Sequence, residues 1–505
     1  MNTPTSGQDS QRGAFGRNRA YKFENLSSGD PLDVLIVGGG ISGAPLYREL
    51  CRRGYRTGLV DKGDFASGTS QASGMLIWGG LLYLQNFDLL TVSKLCKARK
   101  ELMAAFPERI SALDLRYLTS PKDGPKPGTV LLGLYAYWLL GGFALRRPTA
   151  GKTAPGGQTW ALGYQEGMLR ESDSRFVIDL IRPFDSEHCI PLNYCRLTGA
   201  EFDPTQRIWT VALRDESTGA EHRANARVVV NGAGVWTDFV NRLLDLDSPY
   251  KHVFSKGVYL AFPWDEEQTE AHIYPMRGVD DVLTHVPWGP VTMWGPTETA
   301  IQDLESGLHP NRDDIRFLLT NANDSLPHTV GPEDIVSVRC GVRSLVVPRN
   351  YTLRAYPLTL SRRHRVVIDK GRQAIAFYGG KFTSSLCVAA HVAHQIGRWI
   401  SPRFIPPVEG CEPPEMLHHP TLRHNFVTSE WARDHEFCMT LEDYLRRRTQ
   451  IAQWTPRMGL GRDGLERSSL NKLAEVFASN PAEADAMVEA YEQRVCSMYD
   501  PLLEV

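Results

Sequence analysis

One stretch, DVLIVGGGISGAPLYRELCRRGYRTGLVD at residues 33–61, constrains the fold more than any other. Asp33 to Val37 is an apolar run suited to a buried parallel strand, and Ala44 to Arg53 follow with helical character. Between them, Gly38, Gly40 and Gly43 fall in G-x-G-x-x-G spacing. The first glycine permits the tight strand-to-helix turn, the second lets backbone approach a pyrophosphate, and the third lets the helix pack close on the sheet. The helix N-terminus adds amide donors and the positive end of its dipole. Pro45 falls in the first helical turn, where proline is tolerated. A second strand, Thr57 to Val60, ends on Asp61, 23 residues beyond Gly38, where a carboxylate accepts from an adenosine ribose. These features predict a dinucleotide site, and an acid at 61 disfavours NADP.

Residues 62–84, KGDFASGTSQASGMLIWGGLLYL, set a Ser/Gly-rich polar loop before an apolar segment holding Gly79 and Gly80. This resembles the flavin-cradling loop of the glutathione-reductase-like, D-amino-acid-oxidase-type flavoproteins. Within that clan the chain most resembles the FAD-dependent glycerol-3-phosphate dehydrogenases. The matching pieces are GTSQAS, LIWGGLLYL, VVVNGAGVW (228–236), CGVRSL (340–345) and YGGKFT (378–383). LEDYLRRRT (441–449) stands where that family has its C-terminal domain, so the matches run in family order from Asp33 to Thr449. The resemblance implies an α/β fold: a Rossmann-like FAD-binding domain, an antiparallel-sheet substrate domain and a C-terminal helical domain. It implies non-covalent FAD, with Thr69, Ser70, Gly79, Gly234, Gly380, Lys381 and Thr383 joining Gly38, Gly40, Gly43 and Asp61 around it. A plain NAD domain would not require the second glycine turn, Gly232 and Gly234 after the strand Val228 to Val230.

Composition is that of a soluble globular chain of two or three domains: 505 residues, 42% apolar, net charge −2. Near-neutral charge argues against a nucleic-acid binder; the sequence shows no basic helix and no zinc spacing, and no metal site is expected. The nine cysteines form no C-x-x-C and no clustered framework, which suits reduced thiols in a cytoplasm-like compartment. Residues 1–30 are polar without an apolar core and read as a flexible tail, not a secretory signal. Arg12, Arg17 and Arg19 leave an organelle presequence open, against Asp9, Glu24 and Asp30. The expected division is a tail (1–30), an oxidoreductase core (31–405), a linker (406–427) and a helical C-terminal domain (428–505). In the core, 31–85, 170–250 and 365–400 would bind FAD, with 110–165 and 251–364 on the substrate side.

Residues 87–106 carry helical spacing and are expected to pack on the flavin domain. Thr129 to Leu145, TVLLGLYAYWLLGGFAL, runs 17 residues without a charge, short of the roughly 20 that span a bilayer. A buried helix between domains, a surface dipping into a membrane and a partner-binding patch all fit, and Arg146 and Arg147 suit lipid headgroups. ESDSRFVIDLI (171–181) opens a helix with Asp173 or Ser174 as cap. Short apolar runs between Phe254 and Thr352 predict an antiparallel sheet, and 311–326 a helix. A helix starting near Thr383 would aim its N-terminus at the isoalloxazine and stabilise negative charge there. Thr440 with Asp443 marks a further helix start.

In the resembling family a secondary alcohol gives hydride to flavin N5, a base takes the hydroxyl proton, and cations hold phosphate. By position, Arg343 matches its substrate-binding arginine, Lys381 and Thr383 its lysine and threonine beside flavin and substrate, and Tyr83 its tyrosine. An arginine fork suits phosphate geometry, and a lysine adds a point charge. The departures fall on the substrate side. The family's lysine, histidine and phosphate-contacting arginine in the flavin loop are here Met75, Trp78 and Leu82. Its Lys-Gly-Ser-His becomes Lys256, Gly257, Val258 and Tyr259, and its Gly-Thr-Thr-Asp becomes Gly295, Pro296, Thr297 and Glu298. Losing the arginine partner of a phosphate costs on the order of 2–5 kcal/mol.

Two readings follow. In one, Arg339 supplies the missing guanidinium from the neighbouring strand and a phosphate substrate survives in a shifted pose. In the other, the substrate is a larger, less charged polyol- or sugar-like compound that stacks on Trp78. The base is Tyr259, His285 in LTHVPW, or Tyr83; a tyrosine needs a lowered pKa for that role. An amine or amino-acid oxidase of the same clan, and a flavin-binding protein without alcohol turnover, stay open. No second dinucleotide fingerprint supports a monooxygenase. The electron acceptor is quinone or oxygen, a homodimer is allowed, and the location is cytoplasmic, with or without membrane contact through 129–145.

Overall fold

The structure is a computed structural model that describes residues 18–119, 125–153, 159–264, 269–276, 281–352, 363–406, 412–461 and 467–504. Leu32–Val37 is buried along its whole length, as a strand flanked on both sides and covered on both faces must be. Glu221–Asn231 and Thr57–Val60 run parallel to it, so that Ile36 lies beside both Val230 and Leu59. Ala374–Tyr378 and Cys189–Leu192 extend the parallel order outward. Arg365–Asp369 closes one edge antiparallel, and Cys195–Asp203 with Ile208–Asp215 forms a meander on the first half of Glu221–Asn231. The helices Gly43–Arg52, Asp173–Ile181 and Ser385–Ile396 pack together against this sheet. The crevice beyond the carboxyl ends of the parallel strands is where such sheets bind ligands.

The segments on either side of 170–250 build one second sheet. Ile110–Thr119 and Trp160–Leu169 pair along ten positions, and Tyr250–Pro263 pairs with Ser337–Pro348 and Val291–Gly295. The expected antiparallel character holds apart from one junction: Ala271–Pro275 runs parallel to Ile110–Thr119. Leu76–Ile77, from the flavin loop, pairs with Trp160–Leu169 and fastens that loop to the second sheet.

The C-terminal helices Ser429–His435, Arg467–Phe477 and Pro481–Met498 share a core around Ala474, Val488 and Val495. Thr440 and Asp443 exchange the predicted reciprocal bonds, each backbone N–H donating to the other's side chain at 3.1 Å. The Asp443–Arg448 turn then widens to π geometry and drives Arg447 and Arg448 inward onto Asp64 of the flavin loop.

Four expectations need correction. Residues 18–26 are helical, with Phe23 and Leu26 buried and Arg19 and Lys22 paired to Asp215 and Asp185 at 2.8 and 2.7 Å. This half of the expected tail is docked; two apolar anchors and two ion pairs are too sparse to read as a pattern. Within the expected linker, Met416–His419 pairs with His424–Val427 as a hairpin. The cap of Asp173–Ile181 is Ser172, whose Oγ accepts from Arg175 N at 3.0 Å, because Asp173 is committed to Ser73 N and Arg339. The apolar segment forms the helix Pro127–Leu140, in which Leu134 and Tyr137 are buried while Leu132 and Leu139 are exposed, so it is not a core helix. Among the described residues no helix is long and apolar enough to cross a membrane. Residues 1–17 of the tail, 154–158 of the loop after Arg147 and 407–411 of the linker lie outside the described residues.

Candidate functional site

A cavity of about 1370 Å³ runs from the glycine turn to the Gly379–Thr383 loop. At the turn Gly38 has φ +108°, and a Cβ there would lie 2.5 Å from Gly232 O. Gly43 serves by packing, since its Cβ would meet Gly38 O at 1.9 Å, and among the described residues it does not line the cavity. Gly40 faces Ser70 Oγ, which accepts from Ile41 N at 2.9 Å, and Thr69 Oγ1 donates to Val342 O at 2.6 Å. Those bonds hold the flavin loop between the glycine turn and the second sheet.

Asp61 lines the cavity and accepts from Gly39 N at 2.7 Å and Gly63 N at 3.0 Å. Burial pushes its carboxyl up to about 6, the two amides only partly opposing it. Each carboxylate oxygen has capacity for a further donor, such as a ribose hydroxyl. Beside it Lys62 Nζ lies 3.6 Å from the Trp236 ring centroid, and both residues line the wall. A glycine-bare turn at a helix N-terminus, a carboxylate where a ribose would fall and a long cavity reaching Gly234, Gly380 and Lys381 fit FAD end to end.

Trp78, Tyr83, Tyr259, Arg343, Lys381 and Thr383 also line the cavity. Arg343 Nη1 pairs with Glu298 Oε2 at 3.0 Å and donates to Thr297 O at 3.3 Å, while Glu298 Oε1 accepts from Ser255 Oγ at 2.6 Å. Lys381 Nζ donates to Tyr83 Oη. Thr383 Oγ1 donates to Trp78 O at 2.9 Å, tying the two loops together. Tyr259 Oη packs over Gly74, where a Cβ would come within 2.4 Å of it. Leu82, in place of a family arginine, is also in the wall.

Besides Gly43, three expected site residues lie outside the cavity lining. Arg339 is 1% exposed and spends its guanidinium on Asp173 at 2.8 Å, Ser73 O at 3.1 Å and Gln453, with Trp288 beneath it. It braces the flavin loop from behind and replaces no phosphate contact. His285 follows the cavity residue Thr284 on a strand, and alternation turns it away, edge-on to Trp294 with centroids 5.9 Å apart. Gly79 donates its N–H to the buried Glu166 at 3.1 Å, and a Cβ would strike Tyr137 Oη at 2.1 Å, so it packs behind the wall instead of lining it. Arg99 and Tyr137 also donate to Glu166, completing a buried network.

Sequence reasoning missed the Lys62–Trp236 platform, Arg363 and Arg365 in the wall, and the role of Glu298. Glu298 was visible as a departure from the family pattern, but its pairing to a residue 45 positions on required the sheet register.

The family model described as DAO, FAD dependent oxidoreductase, matches residues 33–395. The mitochondrial glycerol-3-phosphate dehydrogenase of Arabidopsis thaliana is 30% identical over 384 residues, 71% of this chain and 59% of the relative. The alpha-glycerophosphate oxidase of Streptococcus pneumoniae is 29% identical over 335 residues, 62% and 54% of the two chains. The chain thus spans little more than half the length of these two relatives. The FAD complex of glycerol-3-phosphate dehydrogenase from Bacillus halodurans shares the fold, with TM-score 0.71 at 18% identity over 97% of this chain and 99% of that one. The chain belongs to the DAO family of FAD-dependent oxidoreductases, and FAD is its cofactor.

Proposed function

We propose that this protein oxidises a secondary alcohol of a polyol- or sugar-like compound that is larger and less anionic than glycerol 3-phosphate. The observation that carries this is the Arg343–Glu298 pair within the cavity. A guanidinium already matched by a carboxylate offers neighbouring hydroxyls a donor and an acceptor, whereas a phosphate would have to compete with Glu298 for it. Leu82 and Trp78 supply apolar wall where two family positions are basic, and they keep water from that side. Bound FAD supplies the hydride acceptor. The Gly379–Thr383 loop lies at the N-terminal end of Ser385–Ile396, whose dipole favours negative charge there.

The test is anaerobic bleaching of the visible flavin band. Glycerol 3-phosphate at millimolar concentration should leave the band unchanged, while a member of a panel of larger polyols and sugars should bleach it. Rapid bleaching by glycerol 3-phosphate would refute the reading; bleaching by amines alone would move the protein to the amine oxidases of the fold. Oxygen uptake with the active compound separates oxygen from quinone as acceptor.

The exposed Leu132, Leu139 and Phe143 beside Arg146 and Arg147 support peripheral contact with an anionic lipid surface. Flotation with anionic vesicles should carry the wild type and leave L132D/L139D behind; equal flotation of both would rule this contact out.

A further inference from the structure

We propose that Tyr83 takes the substrate's hydroxyl proton, with Lys381 as the cation that positions its hydroxyl and holds the charge. The proposal rests on the alcohol-oxidising reading above. Of the three sequence candidates for the base, His285 faces away from the cavity, while Tyr259 and Tyr83 both line it, Tyr259 with its hydroxyl over Gly74. Tyr83 differs in chemistry: Lys381 Nζ donates to its Oη and lies 4.5 Å from its ring centroid. An ammonium on a phenol oxygen favours the phenolate, the form a tyrosine must reach to act as a base.

The pair is built from two elements and bolted twice. Tyr83 sits in the tight turn Leu81–Asn86, with its N–H on Gly80 O at 3.0 Å and Gly80 at φ +88°. Lys381 comes from the loop after Ala374–Tyr378, and the Thr383–Trp78 bond ties that loop to the residues leading into the turn. The two side chains therefore meet in a fixed geometry without help from a ligand. His364, held below its usual range by burial and then by Lys381 and Arg365, is the titratable group shown beside the pair, and the same cavity wall carries Arg363, bonded to Asp88, and Arg343, paired with Glu298. In the reaction the O–H proton passes to Tyr83 Oη, the C–H hydrogen leaves with its electron pair to oxidised flavin, and the oxygen lone pair closes the C=O bond.

The test uses the holoprotein labelled with ¹³C at tyrosine Cζ, followed by NMR against pH. One of the 18 tyrosines should titrate about one pH unit or more below the others. That signal should vanish in Tyr83→Phe, move to higher pH in Lys381→Met, and return in Lys381→Arg. Flavin reduction by the active polyol should slow ~10²-fold or more in Tyr83→Phe and lose its alkaline-rising limb. A Tyr83→Phe protein that keeps the early titration and the same pH–rate limb overturns the proposal. An early titration that follows Tyr83 while no alcohol reduces the flavin keeps the pair and refutes the alcohol reading instead.

Discussion

Replacing Asp64 by Asn tests how the C-terminal domain holds the flavin loop. Asp64 is fully buried and takes Arg447 and Arg448 at 2.6 Å each, with Asn193 Nδ2 at 2.9 Å. Burial alone would raise its carboxyl; the two guanidiniums outweigh that and hold it at about 2, against an ordinary 3.8. A depression of roughly two pH units corresponds to about 2.5 kcal/mol of stability. Because the folded value is the lower one, this contribution is complete above pH ~4 and is lost as pH falls through about 2. Asp64→Asn keeps the shape and removes the charge, leaving Arg448 against a neutral amide and Arg447 with only the Asp443 and Glu442 carboxylates. Breaking a buried pair from one side costs about 3–5 kcal/mol, more than the linkage figure, since Arg448 stays desolvated without its carboxylate. Urea unfolding of the holoprotein, followed by tryptophan emission and released-flavin fluorescence, measures it. The midpoint should fall in both signals together, because Asp64 lies in the loop that also carries Thr69 and Ser70. A loss under about 1 kcal/mol, or flavin retained after the tryptophan transition, would refute the reasoning.

Glu298→Gln frees the charge of Arg343. Inorganic phosphate, read by its perturbation of the flavin spectrum, should then bind at least about tenfold more tightly, near 1.4 kcal/mol; unchanged affinity would show that Glu298 does not govern this end of the cavity. Burial holds the Asp61 carboxyl up at about 6 in the cofactor-free site, and donors from a ribose favour its charged form. FAD affinity, measured by fluorescence, should therefore rise as pH climbs through about 6, and Asp61→Asn should flatten that rise. With its folded value raised, Asp61 contributes stability to the cofactor-free protein below pH ~4 that is lost as pH rises through about 6. A wild-type FAD affinity that is flat between pH 5 and 7.5 would contradict this.

The cofactor half was legible because its signals are local. Gly38, Gly40 and Gly43 are readable from their fixed spacing, even though a Cβ on them would meet Gly232 O, Ser70 Oγ and Gly38 O at 2.5, 2.9 and 1.9 Å, two of these partners being far along the chain. The strand ends and the helix after Gly380 likewise follow from short patterns. The substrate half was legible only as a set of departures, since its chemistry depends on which distant residues pair. Arg339 and Arg343 are four apart on one strand, yet one reaches the cavity and the other disappears into a buried pair with Asp173. No local rule separates them: the partner decides. His285 was readable in principle, because strand alternation places it opposite Thr284, but that argument needed to know which face bounds the cavity. The docked helix at 18–26 and the buried arginines of the C-terminal domain stayed hidden for the same reason, charged side chains being read as solvated until their partners are located.

The network around Glu166 has a mechanical meaning. Tyr137 belongs to the helix whose outer face carries Leu132 and Leu139, and its hydroxyl and Gly79 N–H both end on the same carboxylate. Gly79 sits between Trp78 and the Gly80–Tyr83 segment of the cavity wall. The outer helix is thus joined to the wall main chain through two hydrogen bonds, by way of the Tyr137 ring and the Glu166 side chain. Helix and chamber wall therefore share one anchor: shifting either without the other would leave the buried Glu166 carboxylate short of a donor.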